Sequence, residues 1–258
     1  ELVPDDVTGF ASLRDYRQAL DKLRATPYSA LIAEPEVKAL FEQIAELVSK
    51  HADLPWKDSG IKLADVEKLL SGEIAMVTAV VPPAAGEAGT MGMPAPPESR
   101  MLFLVDIGPN GEDAEKLIQQ VIQMAVEKGG AQVTEEEFQG HAIRHVTPAK
   151  PATEALGEAQ LQELDPELRK MLLQQQAGQE PPHIFLSLEG GILAVEVGQD
   201  RSLLERHLVL RDGGDIRPLA QSDLYRRLLG RIEADSDYVS YQNLEPLWSS
   251  MQPAGPMM

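Results

Sequence analysis

Apolar residues recur along this chain with two different periods. Between Glu36 and His51, the residues Val37, Leu40, Phe41, Ile44, Leu47 and Val48 form one continuous stripe at helical spacing. Glu42, Glu46 and Lys50 lie opposite that stripe, so the segment predicts an amphipathic helix. Glu112–Lys128 repeats the pattern with Leu117, Ile118, Val121, Ile122 and Ala125, and Gly129-Gly130 supplies the stop. Shorter helices are predicted at four further places. One follows Ser12-Leu-Arg-Asp15, which resembles a capping box, and runs to Arg24 before Pro27 blocks it. The second is Leu63–Leu70, ended by Ser71-Gly72. The third opens at the capping box Ser202-Leu-Leu-Glu205, and the fourth spans Ser222–Ile232.

The other period is two. In Leu2–Leu13, Val7, Gly9 and Ala11 alternate with Thr8, Phe10 and Ser12, which predicts a strand. Glu73–Val81 and Met101–Ile107 are apolar and rich in β-branched residues, as buried strands are. Ala131–Phe138 and His141–Thr147 predict a hairpin around Gln139-Gly140. His183–Glu189 and Ile192–Val197 predict a second, around Gly190-Gly191, a pair suited to positive φ. A last strand follows Asp237.

These elements alternate irregularly rather than as βαβ units. The expected fold is therefore α+β, a largely antiparallel sheet with helices packed mainly on one face. Its strands lie near Val7, Ala75, Leu102, Val133, Ile143, Phe185, Leu193 and Val239. One domain is expected over residues 1–250. Two excursions interrupt it: a Pro/Gly/Met-rich loop at 82–100, carrying Met91 and Met93, and a Gln/Glu-rich insertion at 148–182. In the insertion, Leu161, Leu164, Leu168, Met171 and Leu172 suggest one amphipathic helix. Asp237-Tyr-Val-Ser-Tyr-Gln-Asn-Leu244 echoes Asp6-Val-Thr-Gly-Phe-Ala-Ser-Leu13. Either 237–258 begins a second repeat, or the last strand returns to the same sheet.

Composition narrows the classes of function. Of 258 residues, 43% are hydrophobic and 25% charged, which fits a globular core and excludes wholesale disorder. No run of about 18 apolar residues predicts a membrane span. The net charge of −18, from 41 acidic against 23 basic residues, argues against nucleic acid and anionic lipid as partners. Cysteine is absent, which removes disulfides, thiolate zinc sites and cysteine nucleophiles.

No motif nominates a catalytic, cofactor-binding or metal-ligating residue. Gly86, Gly89 and Gly92 lack the Lys-Ser/Thr of a phosphate loop. Five histidines occur: His51, His141, His145, His183 and His207. On a strand His141 and His145 share a face but stand about 13 Å apart, too far to share a metal. Alternation puts Glu135 and Glu137 on one face of their strand, in a charge run that ordinarily faces water. Asp106-Ile-Gly-Pro-Asn-Gly111 superficially resembles a calcium loop, but Leu117 occupies the position where a bidentate Glu belongs. Glu233, Asp235 and Asp237 read as a solvated turn. Trp56 and Trp248 do not define a stacking platform, and Phe41 and Tyr225 fall at core spacing.

Several segments together resemble a family of uncharacterised exported bacterial proteins, often lipoproteins, known as a domain of unknown function. They are Leu2-Val-Pro-Asp-Asp6, Leu69-Leu-Ser-Gly-Glu-Ile-Ala75, Phe138-Gln-Gly140, Gly191-Ile-Leu-Ala-Val195 with Ser202-Leu-Leu-Glu205, and Pro218-Leu-Ala-Gln-Ser222 before Leu224 and Tyr225. The resemblance implies an α+β fold and a periplasmic or cell-surface location. It supplies no catalytic residue. Any signal peptide or lipid anchor would precede Glu1.

The first functional expectation is a non-enzymatic envelope protein that acts through protein–protein contacts, its two excursions binding another envelope protein. The second is a carboxylate-dependent hydrolase using Glu135, Glu137 or Asp106 with His141 or His145. The third is a small-ligand carrier with its pocket between sheet and helices.

Overall fold

A computed structural model describes residues 3–27, 34, 35, 37, 63–81, 98–149, 181–231 and 236–243. All of the predicted helix at 36–51 but Val37, most of the loop at 82–100, nearly all of the insertion at 148–182, both tryptophans, Met91 and Met93 lie outside the described residues.

The described strands are β1 (Gly9–Leu13), β2 (Ile74–Val81), β3 (Glu98–Asp106), β4 (Gln132–Phe138), β5 (His141–Thr147), β6 (His183–Glu189), β7 (Ile192–Gly198) and β8 (Tyr238–Gln242). The helices are α1 (Tyr16–Ala25), α2 (Leu63–Leu69), α3 (Gly111–Gly129), α4 (Ser202–Arg211) and α5 (Asp223–Leu229). All eight strands form one sheet in the order β4-β5-β6-β7-β3-β2-β1-β8. Every neighbouring pair is antiparallel. The fold is therefore the α+β class with an antiparallel sheet.

The turn chemistry explains the hairpins. Gly190 and Gly191 have φ of 59° and 78°, and Gln139 and Gly140 have φ of 52° and 91°. Two successive positive φ values give the turn whose twist matches the flanking strands. Gly130, at φ 64°, ends α3, and its N–H donates to Val126 O.

Two expected helix starts are built differently. Ser12 sits inside β1 and its hydroxyl donates to Glu73, while Asp15 caps α1 by accepting from Gln18 N at 2.8 Å. The box at Ser202–Glu205 does not close. Ser202 Oγ accepts from Arg100 and Glu205 pairs with Arg201. In both cases a long-range polar partner takes the side chain that the local motif would have used.

One sheet face carries Phe10, Ala75, Val77, Leu102, Leu104, Ala194, Phe185, Ile143, Val239 and Tyr241, in register across the strands. Leu203, Leu204 and Leu208 of α4 pack there with Val3, Val7 and Leu219, and Tyr225 of α5 lies at its side. The opposite face meets α3, where Arg144 Nη2 donates to Glu115 Oε1 at 2.5 Å. Among the described residues, α4 and α5 thus lie against the core face and α3 against the other. The reason is that β2 and β3 are apolar on both sides, while β6 and β7 present Ile184, Leu186, Leu188, Leu193, Val195 and Val197 to the second face, so each face has surface to hide.

Candidate functional site

Titratable groups converge between the sheet and α4, on the face that carries the core. At one end, His141 Nδ1 lies 2.7 Å from Glu189 Oε2 and Nε2 lies 2.7 Å from Asp212 Oδ2. Arg211 donates to the same Glu189 oxygen at 2.7 Å, and Ala142 N donates to Glu189 Oε1 at 3.2 Å. The Glu189 hydrogen bond, reinforced by Asp212 against the opposing effect of burial, raises the His141 pKa above its ordinary value. Burial works against the Glu189 charge, yet Arg211 and His141 hold that carboxyl below its usual range. His141 in turn lowers Asp212. Both imidazole nitrogens are thus committed to carboxylates, and the group ties the tip of the β4–β5 hairpin to the end of α4.

At the other end, His145 Nδ1 lies 3.0 Å from Glu136 Oε1, and His145 Nε2 lies 2.9 Å from His183 Nδ1. The His145 ring stacks on Phe185 at 4.5 Å. Arg201 bridges Glu136 and Glu205. This polar chain reaches from β6 across β5 and β4 to the start of α4.

In the same cross-strand row as His145 and Phe185, under the start of α4, lies Glu196, fully buried at 0% exposure. It pairs across the sheet with Leu102 and Phe185. Its carboxyl accepts from Leu204 N at 2.7 Å and from Leu203 N at 3.3 Å. Glu196 therefore does for α4 what the expected capping box would have done. Burial pushes its pKa up to about 7, although the two backbone N–H groups pull the other way. Sequence reasoning missed this residue. The available signal was a single acid on the inward side of the apolar strand Ile192–Gly198, a few residues before a helix.

The hydrolase candidates are scattered. Glu135 is 82% exposed, and its strand partner is Arg144. Glu137 pairs with Ala142, so both acids face away from His141 and His145. Asp106 clasps a turn: Gly108 N donates to its Oδ1 at 2.9 Å, and Ser71 N to its backbone O at 3.1 Å. His141 and His145 share a face, as expected, and each has its own partners. Asp237 pairs with Lys22 at 2.7 Å. Among the described residues, no group of three or more His, Asp or Glu side chains is arranged to hold a metal ion. Ser187 Oγ is buried without a hydrogen-bond partner among the described residues.

The other face of the sheet is different in kind. Ala11, Met76, Phe103 and Val195 form one cross-strand row, and Thr78, Met101, Val197 and Ile184 form the next. These rows cross the middle of the sheet, yet Met76 is 38% exposed and Met101 37%. Phe103, Val195, Val197 and Ile184 are only half-buried. α3 covers the neighbouring part of this face, at Ala142, Arg144, Leu186 and Leu188. Among the described residues, a contiguous apolar surface is thus left on central strands, where sheets are ordinarily covered.

No family model, no curated protein and no solved structure matches this chain. Among the described residues no helix is long and apolar enough to cross a membrane.

Proposed function

We propose that this chain is a non-enzymatic protein-binding module of the bacterial cell envelope. The observation that carries the reading is the apolar middle of the sheet around Met76, Met101 and Phe103, which no element among the described residues covers. Exposed apolar surface of this kind stabilises a complex by being removed from water, at about 25 cal/mol per Å². The polar groups under α4 support the same reading, because their hydrogen bonds are spent on holding that helix to the sheet. Export and the envelope location rest on the family resemblance.

The test is site-specific photo-cross-linking in intact cells of the source. Photoreactive residues replace Met76 or Met101, with controls at the exposed polar positions Lys116 and Arg226. One discrete adduct is expected from 76 and 101 and not from the controls. Deleting 83–97 and 152–180, which spares β3 from Glu98 onward, is expected to leave the chain folded and to abolish that adduct. Equal labelling at all four positions, or no adduct in confirmed envelope fractions, would overturn the proposal.

A further inference from the structure

The sheet has two edges, and they are built differently. β4 carries Glu135, Glu136 and Glu137 in succession, the charged guard that keeps an edge from pairing. β8 reads Tyr238-Val-Ser-Tyr-Gln242, with no charge and no proline. In its ladder with β1, Asn243 N donates to Thr8 O at 2.7 Å and Asp237 O accepts from Arg14 N at 2.9 Å. Antiparallel pairing alternates these bonds, so the odd-numbered residues of β8 turn their backbone toward β1. The backbone groups of Tyr238, Ser240 and Gln242 point the other way, where no strand pairs with them among the described residues. Tyr238 is itself 59% exposed.

β8 is also the strand that echoes β1. Aligned on Asp6 and Asp237, Phe10 falls on Tyr241, and Phe10 is the residue that pairs with Tyr241 in the sheet. Two like strands that run antiparallel with equivalent residues opposite each other are related by a local two-fold axis through that pair. Tyr225 lies over it, with edge contacts to both rings. Under this two-fold, the open edge of β8 corresponds to the edge of β1 that holds β2.

We propose that the open edge of β8 seats a β2-like strand from a second unit of this same fold, with β8 serving as that unit's first strand. The partner strand is then short, apolar, β-branched and antiparallel, like Ile74–Val81. Backbone hydrogen bonds supply the attachment and the alternating side chains supply the register. The inference concerns the edge of the sheet and stands without the open-face reading.

The probe is a synthetic peptide of residues 72–81 carrying solubilising lysines at its C-terminus, added to the whole chain. Saturable binding is expected, with at least tenfold slower amide exchange at Ser240 and Gln242. Ser240→Pro removes an outward N–H while sparing the β1 ladder, and at least a tenfold loss of binding is expected. A peptide N-methylated on the amides that would face β8 tests the same bond without altering the protein, and it is expected not to bind. Absence of saturable binding, or binding indifferent to peptide N-methylation, would overturn the proposal. So would protection that falls on β4. A concentration-dependent dimer of the chain alone, abolished by Ser240→Pro, would place a second intact copy on the edge and overturn it too.

Discussion

Phe10 and Tyr241 stand directly opposite each other in the β1–β8 ladder, and one ring, that of Tyr225, meets both edge-on. Its centroid lies 6.1 Å from Phe10 at 82° and 5.6 Å from Tyr241 at 89°. Edge-to-face geometry of this kind adds to the area each ring buries. Tyr225 thus joins α5 to two strands that are more than 200 residues apart in sequence. Tyr225→Ala is expected to lower stability by about 3 kcal/mol. Amide exchange in β8 is expected to rise more than in β6 and β7. Urea unfolding and hydrogen exchange check both.

Glu196 predicts an unusual pH dependence. Its folded pKa of about 7 lies above the ordinary 4.5, so the folded state holds a proton that the unfolded state releases. Its stability contribution is present below pH 4.5 and is lost as pH rises through 7. Glu196→Gln keeps an acceptor for Leu204 N and has no charge to bury. The variant is expected to gain on the wild type by up to about 3 kcal/mol between pH 4.5 and 8. Glu196→Ala leaves the N–H groups of Leu203 and Leu204 without that acceptor and is expected to lose about 1–3 kcal/mol at pH 5. Urea midpoints across this pH range distinguish the two.

His141 has the opposite origin and the same sign. Its pKa is raised by its carboxylate partners, so the stability it contributes is full below 6.5 and is lost as pH rises through the folded value. His141→Gln is expected to lower stability by about 1–2 kcal/mol at pH 6. The loss is expected to shrink as pH rises through the folded value, where the imidazole gives up its proton in both states. Nuclear magnetic resonance titration of the ring checks the direction of the shift.

The two glycines of the β6–β7 turn are not equivalent. A Cβ on Gly190 would meet nothing within 4 Å, whereas one on Gly191 would lie 2.8 Å from Gly108 O. Gly191 O also accepts from Ile107 N at 2.9 Å and Gly108 N at 3.1 Å. Gly190→Asn is expected to change stability by less than about 1 kcal/mol, since Asn tolerates positive φ. Gly191→Ala is expected to cost about 2 kcal/mol or more, from backbone collision and strain together. Thermal unfolding of the two variants gives the comparison.

Much of the local structure was legible in the residues. The hairpins at Gln139-Gly140 and Gly190-Gly191, the glycine stop of α3, and the spans of β5 and β6 follow from alternation and turn chemistry. Those signals act over two to five residues, and any fold that contains these segments must respect them. The charge and the missing cysteine likewise narrow the chemistry from composition alone.

Tertiary structure alone decided the rest. The sequence does not announce that Glu196 caps α4, that His145 meets His183, or that β8 lies beside β1. Each of these joins residues through space, and each depends on which strands win the competition to bury their apolar faces. Period-two alternation assigns a residue to a face but is silent on which strand becomes its neighbour. A strand that is apolar on both sides, such as β2 or β3, reads the same whether one face is covered or two, and only the packed sheet shows that, among the described residues, α3 covers Arg144 and Leu186 and leaves Met76 and Met101 exposed.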